Sequence, residues 1–206
     1  MAIKSIAQLK ALWVTGYVPT QADFADLFDS FLNMLNFGYF TDYTLFSCPD
    51  NTVATLDLSS KNIWILPNFE NFNDLEELNV NSNSIEEITL SEGLLSIKKF
   101  YASSNTLTLV TIPSALTTLE NIQIVASGLT SLILPSTLIA LNYLDLHDND
   151  LDVTSVDQIL AALNTSGVSS GNFFLNGGTN AVPTGGASNA DYVTLTGRGC
   201  WVYINT

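Results

Sequence analysis

The one histidine of the chain, His147, sits in the run YLDLHDNDLD between Tyr143 and Asp152, with carboxylates at Asp145, Asp148, Asp150 and Asp152. Histidine is the side chain best suited to act as a general base at neutral pH, and a nucleophile would have to lie within hydrogen-bond reach of it. No serine or cysteine near it stands in a recognisable elbow motif. Asp148, Asp150 and Asp152 offer closely spaced oxygens of the kind that suit a hard cation. The sixth position of that run is Val153 and the twelfth is Ile159, where an EF-hand calcium loop needs Gly and Glu. The pairs Glu76–Glu77 and Glu86–Glu87 are adjacent in sequence and fit a solvated face, and Thr196-Gly197-Arg198-Gly199 lacks the spacing and the lysine of a phosphate loop. Neither catalysis nor a cofactor or metal is expected, and the chemistry left is that of a binding surface.

Charge narrows the partners. Six Lys and Arg stand against 20 Asp and Glu, a formal charge of −14 in 206 residues. Phosphate binding needs clustered cations, so nucleic acid is excluded and an anionic membrane surface is disfavoured. With 47% hydrophobic and 13% charged residues the chain can bury a sizeable core. No apolar run reaches the ~18 residues of a membrane span, and Met1 to Pro19 lacks the pattern of a signal peptide, so neither is expected. Cys48 and Cys200 form no disulfide framework and are expected to stay reduced and unpaired.

The surface must be built by a repeat. TLDLSSKNI from Thr55, ELNVNSNSI from Glu77, KFYASSNTL from Lys99, NIQIVASGL from Asn121 and YLDLHDNDL from Tyr143 follow one another at 22-residue steps. At a 47% apolar background, chance would fill the fifteen apolar slots of an L-x-L-x-x-N-x-L template about once in 10⁵, so the period belongs to the fold. The asparagine slot holds Asn83, Asn105 and Asn149, with Lys61 and Ser127 as departures. A buried asparagine there would bond the loop backbones of adjacent coils, which must find partners inside the turn. Alternation along each strand sends Thr55, Asp57 and Ser59, then Glu77, Asn79 and Asn81, then Lys99, Tyr101 and Ser103, outward. Asn121, Gln123 and Val125, then Tyr143, Asp145 and His147, continue the face.

After Leu151 the pattern changes. Thr154 can cap a helix whose Val156, Leu160 and Leu163 share one face and which Gly167 stops, and the next strand falls in NFFLNGG, Asn172 to Gly178. A turn-rich loop over residues 176–190 leads to a short helix from Ser188 and then to a strand from Cys200 to Ile204 that is expected to form a lid over the open end. At the other end, Thr20 is a good N-cap and Phe24, Leu27, Phe28 and Phe31 fall on one helical face, either as a cap on the first coil or as a docking segment.

These motifs resemble the leucine-rich repeat family over roughly residues 45 to 176. The resemblance implies an α/β solenoid of 22-residue coils, with a parallel sheet on the concave face and irregular or 3₁₀ segments on the convex side. It divides the chain into an N-terminal helical docking or capping segment (1–45), the solenoid (46–176) and a C-terminal cap (177–206). The stretch WVTGYVPTQADFADLFDSFLN, Trp13 to Asn33, resembles an N-terminal segment of structural proteins from bacteriophages that infect Bacteroidetes. FFLNGGTNAVPTGG, Phe173 to Gly186, with GRGCWVYIN, resembles the terminal cap of repeat proteins in similar phages, although Cys200 intervenes before Trp201.

The expectation is a non-enzymatic virion protein, a fibre or appendage assembled in the host cytoplasm. It would attach to other virion proteins through Phe24, Leu27, Phe28 and Phe31. It would meet a host surface polysaccharide or protein through Asn79, Asn81, Tyr101, Asn121, Gln123, Tyr143, Asp145 and His147. The alternatives are a structural or decorating virion protein whose repeats only contact other viral proteins, and a bacterial adhesion or interaction protein. A homo-oligomer fits any of the three.

Overall fold

A computed structural model describes residues 54–66, 69 and 72–206. The segment 1–45, with the Phe24, Leu27, Phe28 and Phe31 face, and Cys48 lie outside the described residues. In chain order the strands are β1 (Thr55–Asp57), β2 (Glu77–Asn79), β3 (Glu87–Thr89), β4 (Lys99–Tyr101), β5 (Leu109–Thr111), β6 (Asn121–Gln123), β7 (Ser131–Ile133), β8 (Tyr143–Asp145), β9 (Asn172–Phe174) and β10 (Trp201–Tyr203). Two helices, α1 (Val153–Ser166) and α2 (Ala190–Gly197), flank β9 in sequence.

Seven strands form one parallel sheet in the order β1-β2-β4-β6-β8-β9-β10. Register follows the sequence period: Leu56, Leu78, Phe100, Ile122 and Leu144 lie on one another at 22-residue steps. The described residues are therefore a parallel β-solenoid of 22-residue coils with few helices, and both described helices lie outside those coils. β3, β5 and β7 pair in a second parallel sheet on coils expected to be irregular or 3₁₀ there. Each of those strands buries one apolar side chain, Ile88, Val110 or Leu132, and identical coil lengths bring the three into register, so pairing satisfies the backbone that a loop would leave to water.

The strands are short because a corner follows each one. Ser60, Ser82, Ser104, Ala126 and Asp148 hold left-handed backbone, φ 50 to 58°, again at 22-residue steps. Their amides remain in the ladder, for example Ser82 N–H to the Ser103 carbonyl at 2.9 Å. Inside the corner the buried asparagine is the fastener. Asn83 Oδ1 accepts from the N–H of Lys61 and of Ile63, each at 3.0 Å, while Nδ2 donates to the carbonyls of Leu58 and Val80, each at 2.9 Å. With a longer contact to the Asn81 carbonyl at 3.2 Å, one side chain thus serves five backbone groups on two coils.

Where serine replaces asparagine the corner changes shape. Ser127 Oγ reaches the Ala102 carbonyl at 3.1 Å, but the Leu107 N–H goes to Ser127's own carbonyl at 2.7 Å and Gly128 follows at φ 71°. Lys61 in the same slot is likewise followed by a left-handed residue, Asn62 at φ 57°. Lacking a reaching amide, the corner turns its next peptide instead.

The C-terminal part departs from expectation in an orderly way. Leu144 lies on Phe173, and Phe173 on Val202, both at steps of 29 residues. These two longer coils each carry a helix. Asp152, not Thr154, caps α1: its carboxylate accepts the Ser155 N–H at 2.7 Å, and Gly167 ends the helix at φ 78°. α2 starts at Ala190 rather than Ser188, because Asn189 accepts the N–H groups of Asp191 and Tyr192. The strand expected over the open end is the seventh and last rung of the main sheet, and α2, burying Leu195 in the core, packs beside α1. Asp157 ties the two helical coils by accepting from the Thr184 N–H at 2.9 Å and from Asn189 Nδ2 at 3.3 Å. Cys200 is buried and free, with Sγ 3.7 Å from the Val168 carbonyl.

The core is a single apolar column from Leu56 to Val202, with Phe100 and Phe173 among its largest side chains. Burying each such ring contributes roughly 2 to 3 kcal/mol. That rigid column fixes the outward side chains one strand spacing apart.

Candidate functional site

All eight residues expected on the recognition face stand on the outward side of the seven-stranded sheet or at its strand ends. In register order one row reads Asp57, Asn79, Tyr101, Gln123, Asp145, Phe174 and Tyr203. A second reads Thr55, Glu77, Lys99, Asn121, Tyr143, Asn172 and Trp201. Asn81 and His147 lie just past the strands. Tyr101 and Tyr143 are two strands apart as expected, but in different rows, so they are staggered by two residues. Roughly 12 Å separates their backbones, and no straight line of ligand crosses both rings at one height.

Three aromatic residues of the face escaped the sequence reading: Phe174, Trp201 and Tyr203. They align with the repeat only at the 29-residue step, which a 22-residue template does not detect. Phe174 and Tyr203 stack with ring centroids 4.8 Å apart and planes at 2°, and Tyr143 lies 5.7 Å from Phe174 at 50°.

Several polar groups of the face are already committed to the backbone. Asp57, Asn79 and Asp145 each accept the N–H two residues on, from Ser59, Asn81 and His147, at 2.9, 3.1 and 3.2 Å. This repeated turn closes the strand end and fixes each carboxylate or amide in place. Asn81 Oδ1 accepts the Ser103 N–H at 2.7 Å, and Gln123 Nε2 donates to Asn121 Oδ1 at 3.1 Å. Lys99 pairs with Glu77 at 3.2 Å, and that hydrogen bond raises the ammonium pKa above its ordinary value.

The tyrosine hydroxyls remain donors well above neutral pH. Burial, and next the Glu77 charge, raise the pKa of Tyr101; burial, and next the charge of Asp145 and a hydrogen bond to it, raise that of Tyr143. Tyr143 OH lies 3.3 Å from Asp145 Oδ2, and His147 Nδ1 lies 2.5 Å from Asp145 Oδ1. The buried Asp145 thus orients a phenol and an imidazole at once. The nearest charged group on the other side of that imidazole is Asp148, 3.7 Å from Nε2, a carboxylate that offers no nucleophilic hydroxyl or thiol.

The acidic run does not converge. Asp150 accepts from the Thr179 hydroxyl, Asp152 caps α1 and Asp148 faces His147, so the three carboxylates serve three separate partners. Among the described residues no group of three or more His, Cys, Asp or Glu is placed to hold a metal ion, and no helix is long and apolar enough to cross a membrane.

One structural residue was also missed. Asn180 takes the fastener position of the first helical coil: Oδ1 accepts the Leu151 N–H at 3.0 Å, and Nδ2 donates to the carbonyls of Leu146 and Leu175 at 2.9 and 3.1 Å. It stands 31 residues after Asn149 where the strands step by 29, because two extra residues enter the corner. No protein-family model matches the chain, and no curated protein sequence matches it.

Proposed function

We infer that the chain is a non-enzymatic recognition module of the leucine-rich repeat type, whose seven-stranded sheet face binds an extended polar ligand. The single observation that carries this reading is the face itself: in-register rows of amides, carboxylates and aromatic rings standing on a rigid column. Such planar groups make paired hydrogen bonds to hydroxyls or peptide groups, and the rings add apolar contact. The two phage-like segments extend the reading to a virion fibre or appendage, held to other virion proteins by the Phe24, Leu27, Phe28 and Phe31 segment and presenting the sheet face to a host-surface polysaccharide or protein.

A second reading has its own observation. Asn79, Asn81 and Asp145 spend oxygen atoms on the chain's own turns, as a rigid spacer between other viral proteins would require and no ligand would. The two readings part at Tyr101, whose hydroxyl has no such duty in the turns. Tyr101→Ala is expected to weaken binding of the full chain to cultured Bacteroidetes cells by about 1 to 2 kcal/mol, with a thermal midpoint within a few degrees of the parent. Unchanged cell binding by a folded Tyr101→Ala, Gln123→Ala double variant would favour the spacer.

A further inference from the structure

The aromatic side chains of the sheet face gather at its C-terminal end. Tyr143, Phe174 and Tyr203 form a ladder of rings on three successive strands, ending at β10. Among the described residues β10 is the last strand in the order of the sheet, and no described strand lies beyond the Tyr203 ring. Trp201, two residues earlier on the same face of β10, is 65% exposed and Tyr203 42%. Trp201 adds the largest apolar side chain of the row to this end, so that Trp201 and Tyr203 extend the ring ladder into one exposed aromatic patch.

Charge separates this end from the rest of the face. The first three rungs carry Asp57, Glu77 and Lys99, whereas residues 172–180 and 199–206, which make the last two rungs and their corners, contain no charged side chain. In a chain of net charge −14 these two segments are uncharged, with the carboxylates of Asp145 and Asp148 on the strand and corner before them. The polar groups of this end include Asn172, exposed beside Trp201, and the Asp145 carboxylate, which accepts from the Tyr143 hydroxyl and lies against the His147 ring.

Resting on the recognition reading above, we propose that Trp201, Tyr203, Phe174 and Tyr143, with Asn172 and Asp145, form a binding subsite for a neutral saccharide. The C–H faces of a pyranose ring are apolar and stack on aromatic faces, while its hydroxyls need donors and acceptors at the rim. Such a ligand asks for a few rings and several planar polar groups, amides and carboxylates alike, that bond its hydroxyls. An anionic polymer would need cations that the patch does not have. A protein partner would need a wide apolar core, and the polar rows of β1, β2, β4 and β6 do not supply one.

The test uses the full chain and soluble neutral polysaccharides, a β-glucan, an α-mannan and a galactomannan, by affinity electrophoresis, with the matching hexasaccharides in calorimetry. At least one is expected to retard the chain. Trp201→Ala and Tyr203→Ala should each raise Kd at least tenfold, while Tyr203→Phe, which keeps the ring, and Ile139→Ala, at an exposed site off the sheet, should bind as the parent does. Retardation that survives in Trp201→Ala and Tyr203→Ala but is lost in Tyr101→Ala would overturn the subsite and leave the sheet-face reading standing. Retardation by none of the three polysaccharides would overturn the proposal, and so would variants whose only effect is to turn a dimer joined at the β10 edge into a monomer. In both cases the cell-binding experiment with Tyr101→Ala still judges the wider reading.

Discussion

Replacing Asn149 by alanine is expected to remove about 4 kcal/mol of stability, the largest effect of any single substitution on the face or its corners. The side chain is 1% exposed. Its Oδ1 accepts the N–H groups of Ser127 and Leu129 at 3.0 and 3.1 Å, and its Nδ2 donates to the carbonyls of Ile124 and Leu146 at 2.6 and 2.9 Å. Alanine would leave the Ser127 and Leu129 N–H groups and the Ile124 carbonyl without that partner in a place water does not reach, at roughly 1 to 3 kcal/mol each before relaxation, while the Leu146 carbonyl keeps Asn180 Nδ2 at 2.9 Å. The serine corner shows how a coil copes without asparagine, by a turned peptide and a left-handed residue after it. At Asn149 that next residue is Asp150, outside the left-handed region and engaged by the Thr179 hydroxyl, so the same escape means giving up that bond. Urea denaturation read by circular dichroism, with amide exchange at Leu129, measures the loss. A change below about 1 kcal/mol would mean that the corner relaxes as the serine coil does. Asn149→Asp is expected to recover little, since a carboxylate keeps the two acceptor contacts but faces two carbonyls where the amide donated.

Gly178→Ala is the second large effect, at about 3 kcal/mol, and its cause is steric. The residue holds φ 54°, and a Cβ built on it would sit 2.7 Å from the Asn149 carbonyl oxygen and 2.8 Å from the Asp148 carbonyl carbon. Both neighbours are backbone of the coil beneath and cannot swing aside. The corner would have to open, straining the Thr179 N–H bond to the Asn149 carbonyl, 3.0 Å, and the Asn180 contacts that follow. Gly167→Ala is the control. It has φ 78° but nothing within 4 Å of the new Cβ, so it should cost only the left-handed strain of about 1 kcal/mol. Equal losses in the two variants, by thermal or urea unfolding, would show that backbone conformation and not close approach sets the effect at Gly178. Because Gly178 lies in the corner that follows β9, its loss is also expected to loosen the Phe174–Tyr203 stack, read as a fall in near-ultraviolet circular dichroism.

Much of this was legible in the residues. The 22-residue step from Leu56 to Leu144 named the buried column, and strand alternation named the outward face, because both are properties of a short stretch of chain: side chains alternate along a strand, and equal coils stack in register. The buried asparagines were legible for a similar reason, since an amide in an apolar repeat has to answer backbone groups that cannot reach water. Asn180 was not, because its place depends on two residues inserted into a corner whose geometry no template of fixed spacing contains.

The rest was decided by pairing across distance. That β3, β5 and β7 join in a second sheet depends on three coils meeting in register. That β10 is the last rung depends on its pairing with β9 at a 29-residue step, across a coil whose α2 buries Leu195. The stagger of Tyr101 and Tyr143, and the ring ladder that ends at Tyr203, follow from the same registers. The sequence by itself determined which side chains are buried and which point outward, since that is set by local periodicity. Only the tertiary structure decided which outward side chains are neighbours, because register between coils of unequal length is fixed by packing and hydrogen bonds between residues far apart in the chain.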